Sequence, residues 1–187
     1  MLDEITNTVH VLEKGGTILY PTDTVWGIGC DATNSAAVDK VFKIKRRKKN
    51  KSLIILVSDT DMLQEYVKNI PDIAWDLINN LEEPTTIIYP EAKNIARNVV
   101  ETDKSIAIRI VKDEFCIQLI TLFGRPIVST SANISKEPTP LMFSKISEKI
   151  IQEVDYVVNI DQDKIKQLKT STIIKLNKGG DYTIIRK

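Results

Sequence analysis

The densest positive charge of the chain lies in one short segment, since seven of the nine residues 43–51 are basic. Lysine offers a compact charge and arginine a planar fork of donors, and both suit the oxygens of a phosphate. Lys45 and Arg47 are two positions apart, so they cannot share a helix face, but both can point inward where a helix frays into a loop. A solvated basic face is the alternative interpretation. The chain contains neither GxxxxGK[ST] nor GxGxxG, so no standard phosphate-binding loop is predicted.

Small hydroxyl side chains cluster at the end of an apolar stretch, in PIVSTSANISKEPTP. Ser129, Thr130, Ser131 and Asn133 fill four of five consecutive positions, which is more than one capped turn needs. Their neutral hydrogen bonds suit a phosphate or a ribose. The segment PTDTVWGIG, residues 21–29, likewise follows a predicted strand and offers hydroxyls and a carboxylate, although a plain turn-rich loop is equally open. Ligands of α/β folds bind at strand ends, so both segments are candidate site loops.

One arginine lies inside a predicted strand, Arg109 in SIAIRIV. In a central strand its guanidinium would be nearly buried and would need a partner, either an internal carboxylate or the carboxylate of a substrate. In an edge strand it would simply face water.

Composition excludes several classes of protein. The chain has 187 residues and a formal net charge of +1, so the positive charge is local rather than global. A zinc site or a histidine-based triad is not expected from His10, Cys30 and Cys116, and no residue is predicted to ligate a metal. The two cysteines are expected to be buried and reduced, as in a cytosolic protein. The acidic N-terminal segment is no signal peptide, and no apolar run reaches membrane-spanning length, so we expect a soluble cytoplasmic protein with no membrane partner.

The elements that must position these side chains are interleaved helices and strands. Helices are predicted around Ile5, Val9 and Leu12, up to the Gly15-Gly16 pair, and over residues 35–44, 59–67, 71–81, 114–123 and 143–151. The segments predicted as strands are TILY, SLIILV, TTIIY, SIAIRIV, PIVSTS, DYVVNI, STIIKL and DYTIIR, the last two forming a hairpin. Strands alternate with helices early and pair with each other late. The pattern therefore predicts one α/β domain over residues 1–187, with a mixed parallel and antiparallel sheet and flanking helices.

The ordered set of these segments resembles the YrdC-like threonylcarbamoyl-AMP synthases. That family has a PT[DE]TVYGLG-type loop, a helix ending in KxR, a strand, a vgvR strand and an SAN turn. This chain reads PTDTVWGIGCDA, KIKRR, SLIILV, IAIRI and STSANISKEPTP in the same order. The resemblance implies a single YrdC-like domain, in which a twisted sheet surrounds a basic cavity.

The resemblance also implies an activity. The family is a group of nucleotidyltransferases that join L-threonine, bicarbonate or CO₂, and ATP into threonylcarbamoyl-adenylate and pyrophosphate. Mg²⁺ is expected to arrive with ATP. The adenylate then feeds the threonylcarbamoyladenosine modification of tRNA, which separate transfer proteins install, and direct contact with tRNA or double-stranded RNA is a further possible interaction.

Site roles carry over by motif. Lys45, Arg47, Ser131 and Asn133 match the KxR and SxN signature that implies catalysis around the ATP phosphates. The positions implied to bind ATP are Lys45, Arg47, Lys51, Ser105, Ser131, Asn133, Thr139 and Arg186, and those implied to bind threonine are Thr24, Arg109, Ser129 and Ser171.

The chain departs from the family pattern in places. Lys48 replaces a usual proline, Lys136 a common glycine, and Leu56 a frequent histidine, so one threonine contact of the family is expected to be missing or replaced. Two other functions stay open at this stage. One is an RNA-binding module without catalysis, although the basic run is accompanied by few aromatic side chains on which bases could stack. The other is carbamoyl transfer to a different acceptor, as in hydrogenase maturation factors.

Overall fold

The computed structural model describes residues 1–48, 53–165, 170–177 and 179–187. Its helices are α1 (Leu2–Glu13), α2 (Ser35–Ile44), α3 (Thr60–Tyr66), α4 (Asp72–Asn80), α5 (Glu114–Phe123) and α6 (Glu148–Glu153), with short 3₁₀ turns at Arg97–Val99 and Phe143–Lys145. Its strands are β1 (Thr17–Tyr20), β2 (Gly27–Cys30), β3 (Ile54–Val57), β4 (Thr85–Tyr89), β5 (Ile106–Ile110), β6 (Ile127–Ser131), β7 (Tyr156–Val157), β8 (Thr172–Leu176) and β9 (Tyr182–Arg186).

All nine of these strands belong to one sheet, in the order β7-β1-β2-β6-β3-β5-β4-β8-β9. The pairs β1/β7, β3/β5 and β4/β8 are parallel, and the other five pairs are antiparallel. The α/β prediction with a mixed sheet is therefore confirmed, and so is the predicted antiparallel pair β8/β9.

Helices cover both faces of the sheet. Neighbouring residues of a strand point to opposite faces, so each central strand packs against helices on both sides. Ile18, Leu56 and Ile127 pack with α1 and α5 on one face. Leu19, Ile55 and Val128 pack with α2, α3, α4 and α6 on the other. Central strands that are buried on both faces explain the continuous apolar runs of the sequence.

Helix ends follow the local signals of the sequence. The Asn34 side chain accepts hydrogen bonds from the backbone N–H groups of Ala36 and Ala37, which caps the start of α2. At the other end of a helix, Gly124 adopts a left-handed φ of 69° and terminates α5. The two cysteines are free and buried, as expected.

Three predicted elements need correction. The segment 21–29 is not wholly a loop, because it runs into β2 at Gly27. The helix predicted over residues 143–151 is divided into a 3₁₀ turn and α6, because Ile146 is extended and Phe143 is held against Trp26, with ring centroids 5.0 Å apart. The strand predicted from DYVVNI keeps only the two residues of β7.

Candidate active site

A cavity of about 320 Å³ opens where the loop after β1, the end of α2 and the strands β3, β5, β6, β8 and β9 meet. We call it the central cavity. Eight of the predicted site residues line it: Thr24, Arg47, Arg109, Ser129, Ser131, Thr139, Ser171 and Arg186. Within the described part of the chain its wall carries three arginines, several hydroxyls and no carboxylate. Such a wall is suited to a ligand with more than one negative charge.

The end of α2 explains how two basic residues that lie two positions apart both turn inward. The helix ends at Ile44, and Arg46 takes a left-handed φ of 51°. The guanidinium of Arg46 caps the helix, donating to the carbonyl of Lys43 at 3.1 Å and to that of Ile44 at 2.9 Å, and it forms an ion pair with Glu153 of α6. Arg46 therefore faces the protein surface, while Lys45 and Arg47 on either side of it turn toward the core.

Lys45 joins the end of α2 to the turn after β6. Its ammonium donates to the carbonyl oxygens of Ser131 and Asn133, the latter at 2.7 Å, and to the Asn133 Oδ1 at 3.3 Å. The Ser135 N–H donates in return to the Lys45 carbonyl at 2.9 Å. Burial, and after it the charge of Arg47, lowers the pKa of Lys45 to about 8. The KxR and SxN segments therefore meet, as the resemblance implies.

The SxN turn is held together by its own side chains. Ser131 Oγ donates to Asn133 Oδ1 at 2.5 Å, and Asn133 Nδ2 donates to the carbonyls of Ile134 and Glu137 at 3.1 Å and 2.6 Å. Ser131 lines the central cavity, whereas Lys45 and Asn133 lie next to its wall. Lys45 and Asn133 therefore order the turn from behind.

Arg47 and Arg186 are far apart in the sequence, and both face the central cavity. Burial lowers the pKa of the Arg47 guanidinium, and the charge of Glu101 opposes that shift. Arg186 donates to the Ser171 carbonyl through Nε at 3.2 Å and Nη2 at 2.7 Å. Burial also lowers the pKa of Arg186, with a smaller contribution from the charge of Arg109. The mutual repulsion of guanidiniums around this cavity favours an anion between them.

Arg109 lies in the central strand β5 and is only 4% exposed. Its Nη2 lies 2.9 Å from Asp23 Oδ1. Asp23 is therefore the internal carboxylate that pairs with Arg109. Burial raises the pKa of the Asp23 carboxyl, and the Arg109 charge opposes that shift. Sequence reasoning missed Asp23 as a partner. Its position between two threonines of the PTDT segment was the available signal.

Ser105 and Leu56, two positions of the family pattern, stand apart from the central cavity. Ser105 lines an adjoining cavity of about 280 Å³, which shares Ile88 and Ala107 with the central one, and its hydroxyl donates to Asp103 at 2.5 Å. Lys51 lies outside the described residues. Leu56, at the position of the family's frequent histidine, is fully buried among residues of α1 and α5. An apolar core contact thus replaces the histidine.

Over the described ranges, no three His, Cys, Asp or Glu side chains come together in a group that could hold a metal ion. None of the helices within those ranges combines the length and the apolar character needed to cross a membrane.

Comparison with known proteins gives consistent results. The family model Sua5_yciO_yrdC, described as "Telomere recombination", matches residues 10–187. A threonylcarbamoyl-AMP synthase of Xanthomonas oryzae pv. oryzae is 34% identical over 156 residues, which are 82% of this chain and 83% of that protein. A putative threonylcarbamoyl-AMP synthase of Methanocaldococcus jannaschii is 39% identical over 164 residues, 87% of this chain and 75% of the relative.

A solved structure extends the comparison to three dimensions. P. abyssi Sua5 complexed with L-threonine matches 97% of this chain with a TM-score of 0.88 and 27% identity. The chain spans about half the length of that protein, 53%.

Proposed function

Because the chain belongs to the Sua5/YciO/YrdC family, we propose that it is a threonylcarbamoyl-AMP synthase, a nucleotidyltransferase that uses L-threonine, bicarbonate or CO₂, and ATP. The observation that carries the proposal is the central cavity, whose described wall combines three arginines and many hydroxyls with no carboxylate. A triphosphate and an amino-acid carboxylate both fit that wall. The complex of P. abyssi Sua5 with L-threonine supports the choice of amino acid.

The reaction needs no protein nucleophile. The neutral amine of threonine forms a C–N bond to CO₂ and loses a proton to water, which gives a carbamate. A carbamate oxygen then forms a bond to the α-phosphorus of ATP, and the bond from that phosphorus to the bridging oxygen of pyrophosphate breaks. Negative charge grows on the phosphate oxygens, so fixed cations and donors are expected to supply most of the rate enhancement. Holding three reactants in one cavity supplies the rest.

Two groups of residues divide the work. In this proposal Arg47, Ser131, Thr139 and Arg186 bind the nucleotide and its phosphates, Lys45 and Asn133 order the turn that carries Ser131, and Ser105 and Lys51 extend the nucleotide site. Thr24, Arg109, Ser129 and Ser171 bind threonine, with the guanidinium of Arg109 facing the carboxylate.

The metal is assigned to the substrate. The described wall of the central cavity offers hydroxyls but no carboxylate, so the phosphates of ATP would supply the ligands of Mg²⁺, as is common for this ion. When bound, Mg²⁺ would neutralise part of the charge of the triphosphate.

The wider setting of the enzyme belongs to the same proposal. The adenylate would pass to separate proteins that transfer the threonylcarbamoyl group to tRNA, and direct contact with tRNA is a further possible interaction. Residues 1–187 would act as one catalytic domain in the cytoplasm, where ATP and tRNA are both available.

The test is threonine-dependent release of pyrophosphate from ATP and bicarbonate. Arg47→Ala is expected to lower the rate by about 10²–10³, the usual cost of removing a donor that stabilises developing charge. Lys45→Ala is also expected to lower the rate, because the turn that carries Ser131 loses its hydrogen bonds to the end of α2. Lys43→Ala is the matched control, because Lys43 belongs to the same basic run but is exposed on α2. Near-normal rates in both variants would contradict their roles.

The same assay separates the two other functions. Pyrophosphate release that does not depend on threonine would favour carbamoyl transfer to another acceptor. No release at all, together with RNA binding that weakens steeply with salt, would favour an RNA-binding module.

A further inference from the structure

The loop after β1 carries two hydroxyls whose hydrogen-bond direction can be worked out. Thr22 and Thr24 both line the central cavity and are 1% and 7% exposed. Their Oγ1 atoms are 3.1 Å apart, a distance that by itself allows either hydroxyl to be the donor. Which of them donates decides whether Thr24 offers a proton or a lone pair to a ligand.

The surrounding contacts of Thr22 remove the ambiguity. Thr22 Oγ1 lies 2.7 Å from the carbonyl oxygen of Val25, and a carbonyl can only accept. The single hydroxyl proton of Thr22 is therefore committed to Val25. The backbone N–H of Thr24 donates to Thr22 Oγ1 at 3.1 Å, so that oxygen already acts as an acceptor. The Thr24 hydroxyl must consequently be the donor in the contact between the two side chains.

The consequence is a fixed polarity at Thr24. Its proton points to Thr22, so its Oγ1 has only lone pairs left for the cavity. Arg109 lines the same cavity with a guanidinium, which can only donate. The wall thus offers one site for an anionic acceptor and another for a hydrogen-bond donor. The carboxylate and the amine of an amino acid have this pair of properties.

We propose that Thr22 is a positioning residue that fixes Thr24 as the hydrogen-bond acceptor for the amine of the amino-acid substrate. The inference rests on the proposed function and deepens it, since it names the substrate group that Thr24 receives. An amine that donates one N–H to Thr24 Oγ1 keeps its lone pair, which is the pair that must attack CO₂. The orientation of a protein hydroxyl therefore selects a nucleophilic amine and disfavours a group that can only accept.

The experiment uses two small acids with the same four-carbon skeleton and carboxylate. L-2-Aminobutyrate carries N–H donors at carbon 2, whereas 2-oxobutyrate carries only an accepting carbonyl there. The dissociation constant of each is measured by calorimetry with wild-type protein, Thr22→Val and Thr22→Ser. Wild type is expected to prefer the amine by on the order of tenfold, because the ketone would leave the lone pairs of Thr24 facing an acceptor.

Thr22→Val frees the Thr24 proton to turn into the cavity, so the preference for the amine should shrink by on the order of tenfold. Thr22→Ser keeps the hydroxyl and should keep the wild-type ratio. If Thr22 had only a structural role, Thr22→Val would weaken the binding of both acids equally. The ratio of the two dissociation constants would then stay unchanged, which would overturn the proposal. Binding of neither acid to wild type, or a preference for the ketone, would also overturn it.

A second pair of variants covers the case in which Thr22→Val does not fold. Thr24→Val should lose the preference for the amine and Thr24→Ser should retain it, and a preference that survives in Thr24→Val would refute the inference. These are binding measurements, so they are independent of turnover. Absence of threonine-dependent pyrophosphate release by the wild-type protein would reject the proposed function, whereas an unchanged binding ratio in Thr22→Val would reject only the role of Thr22.

Discussion

Lys45 shows how a buried cation can serve a site from behind its wall. An ammonium has three N–H donors, and here three acceptors surround it, namely the carbonyls of Ser131 and Asn133 and the side-chain oxygen of Asn133. These bonds tie the end of α2 to the turn after β6. Burial still disfavours the charged form, which is why the pKa of Lys45 falls to about 8. The charge of this residue is therefore sensitive to a nearby anion.

The affinity for ATP should fall as pH rises above about 8. In the free protein the Lys45 pKa of about 8 lies below its ordinary 10.5, so the folded state loses this proton before the unfolded chain does. A bound triphosphate favours the ammonium and raises its pKa, so binding above pH 8 takes up a proton. The affinity should drop by up to about tenfold per pH unit in that range. Titration calorimetry between pH 7.5 and 9.5, in buffers of different ionisation enthalpy, measures both quantities.

Lys45→Met is the control, since it removes the titrating group and should show weaker binding with no inflection near pH 8. An affinity of the wild-type protein that stays flat to pH 9.5 would contradict the link between Lys45 and the triphosphate. The free energy of unfolding depends on the same proton, but it should rise with pH where the affinity for ATP falls. Between about pH 8 and 10.5 the unfolded chain binds more protons at this residue, so the cost of burying its charge disappears as pH rises.

At the scale of single residues, the sequence indicates which side chains need an ion-pair partner but does not identify that partner. Arg109 could be predicted to need a counterion, because a guanidinium inside a buried strand must be paired. The PTDT segment marked Asp23 as a carboxylate in a candidate site loop, but nothing in the spacing linked it to Arg109, since the two residues meet only when β5 lies behind the loop after β1. The partner of Arg46 could not be predicted either. Its left-handed backbone and its pair with Glu153 depend on where α6 packs.

At the scale of elements, β2 is the clearest departure from the predicted pattern. Its sequence, GIGC, has two glycines, which weaken a strand and favour a loop assignment. The structure supplies the reason for one of them. A Cβ on Gly29 would lie 2.6 Å from the carbonyl oxygen of Val128 and 2.7 Å from the ring of Tyr20. Close approach of β6 and Tyr20 therefore requires glycine there, and packing outweighs the low strand propensity.

Gly29→Ala should destabilise the fold by about 1–3 kcal/mol, the usual cost of inserting a methyl group into a filled core. The backbone of Val128 cannot move away without disturbing β6. Gly179→Ala is the matched control, because a Cβ there would meet only Asp181 Oδ1, at an ordinary 3.6 Å. Urea denaturation of both variants measures the difference. Equal stabilities of the two variants would show that the β2/β6 contact can relax.

At the scale of the whole molecule, the central cavity is a product of the sheet order rather than of any one motif. Residues from near positions 22, 47, 109, 131, 171 and 186 reach it, because the late strands β8 and β9 extend the sheet beyond β4 while β1 and β2 pair beside β6. Periodicity alone predicted most elements and the α/β class, but it could not predict strand order. The resemblance to a known family supplied the convergence of distant segments that local patterns lack.

A cavity with walls from both halves of the sheet should make ligands stabilise the whole fold. A ligand that binds only the folded state at 100 times its dissociation constant adds about 2.7 kcal/mol to the free energy of unfolding. ATP and threonine are each expected to raise Tm. If each ligand completes part of the other's binding surface, the increase in Tm with both ligands should exceed the sum of the two separate increases. Thermal unfolding with each ligand alone and with both measures these shifts.

Arg109→Leu separates the two ligand effects within this prediction. Its own stability should fall by about 3–5 kcal/mol, because Asp23 is left as a buried charge without its partner. Asp23→Asn combined with Arg109→Leu removes both charges and should recover part of that loss, so the double variant is the better background. In it, threonine should no longer raise Tm, while ATP alone should still do so. A threonine shift that persists without Arg109 would mean that the amino acid binds elsewhere, since no other guanidinium is assigned to its carboxylate.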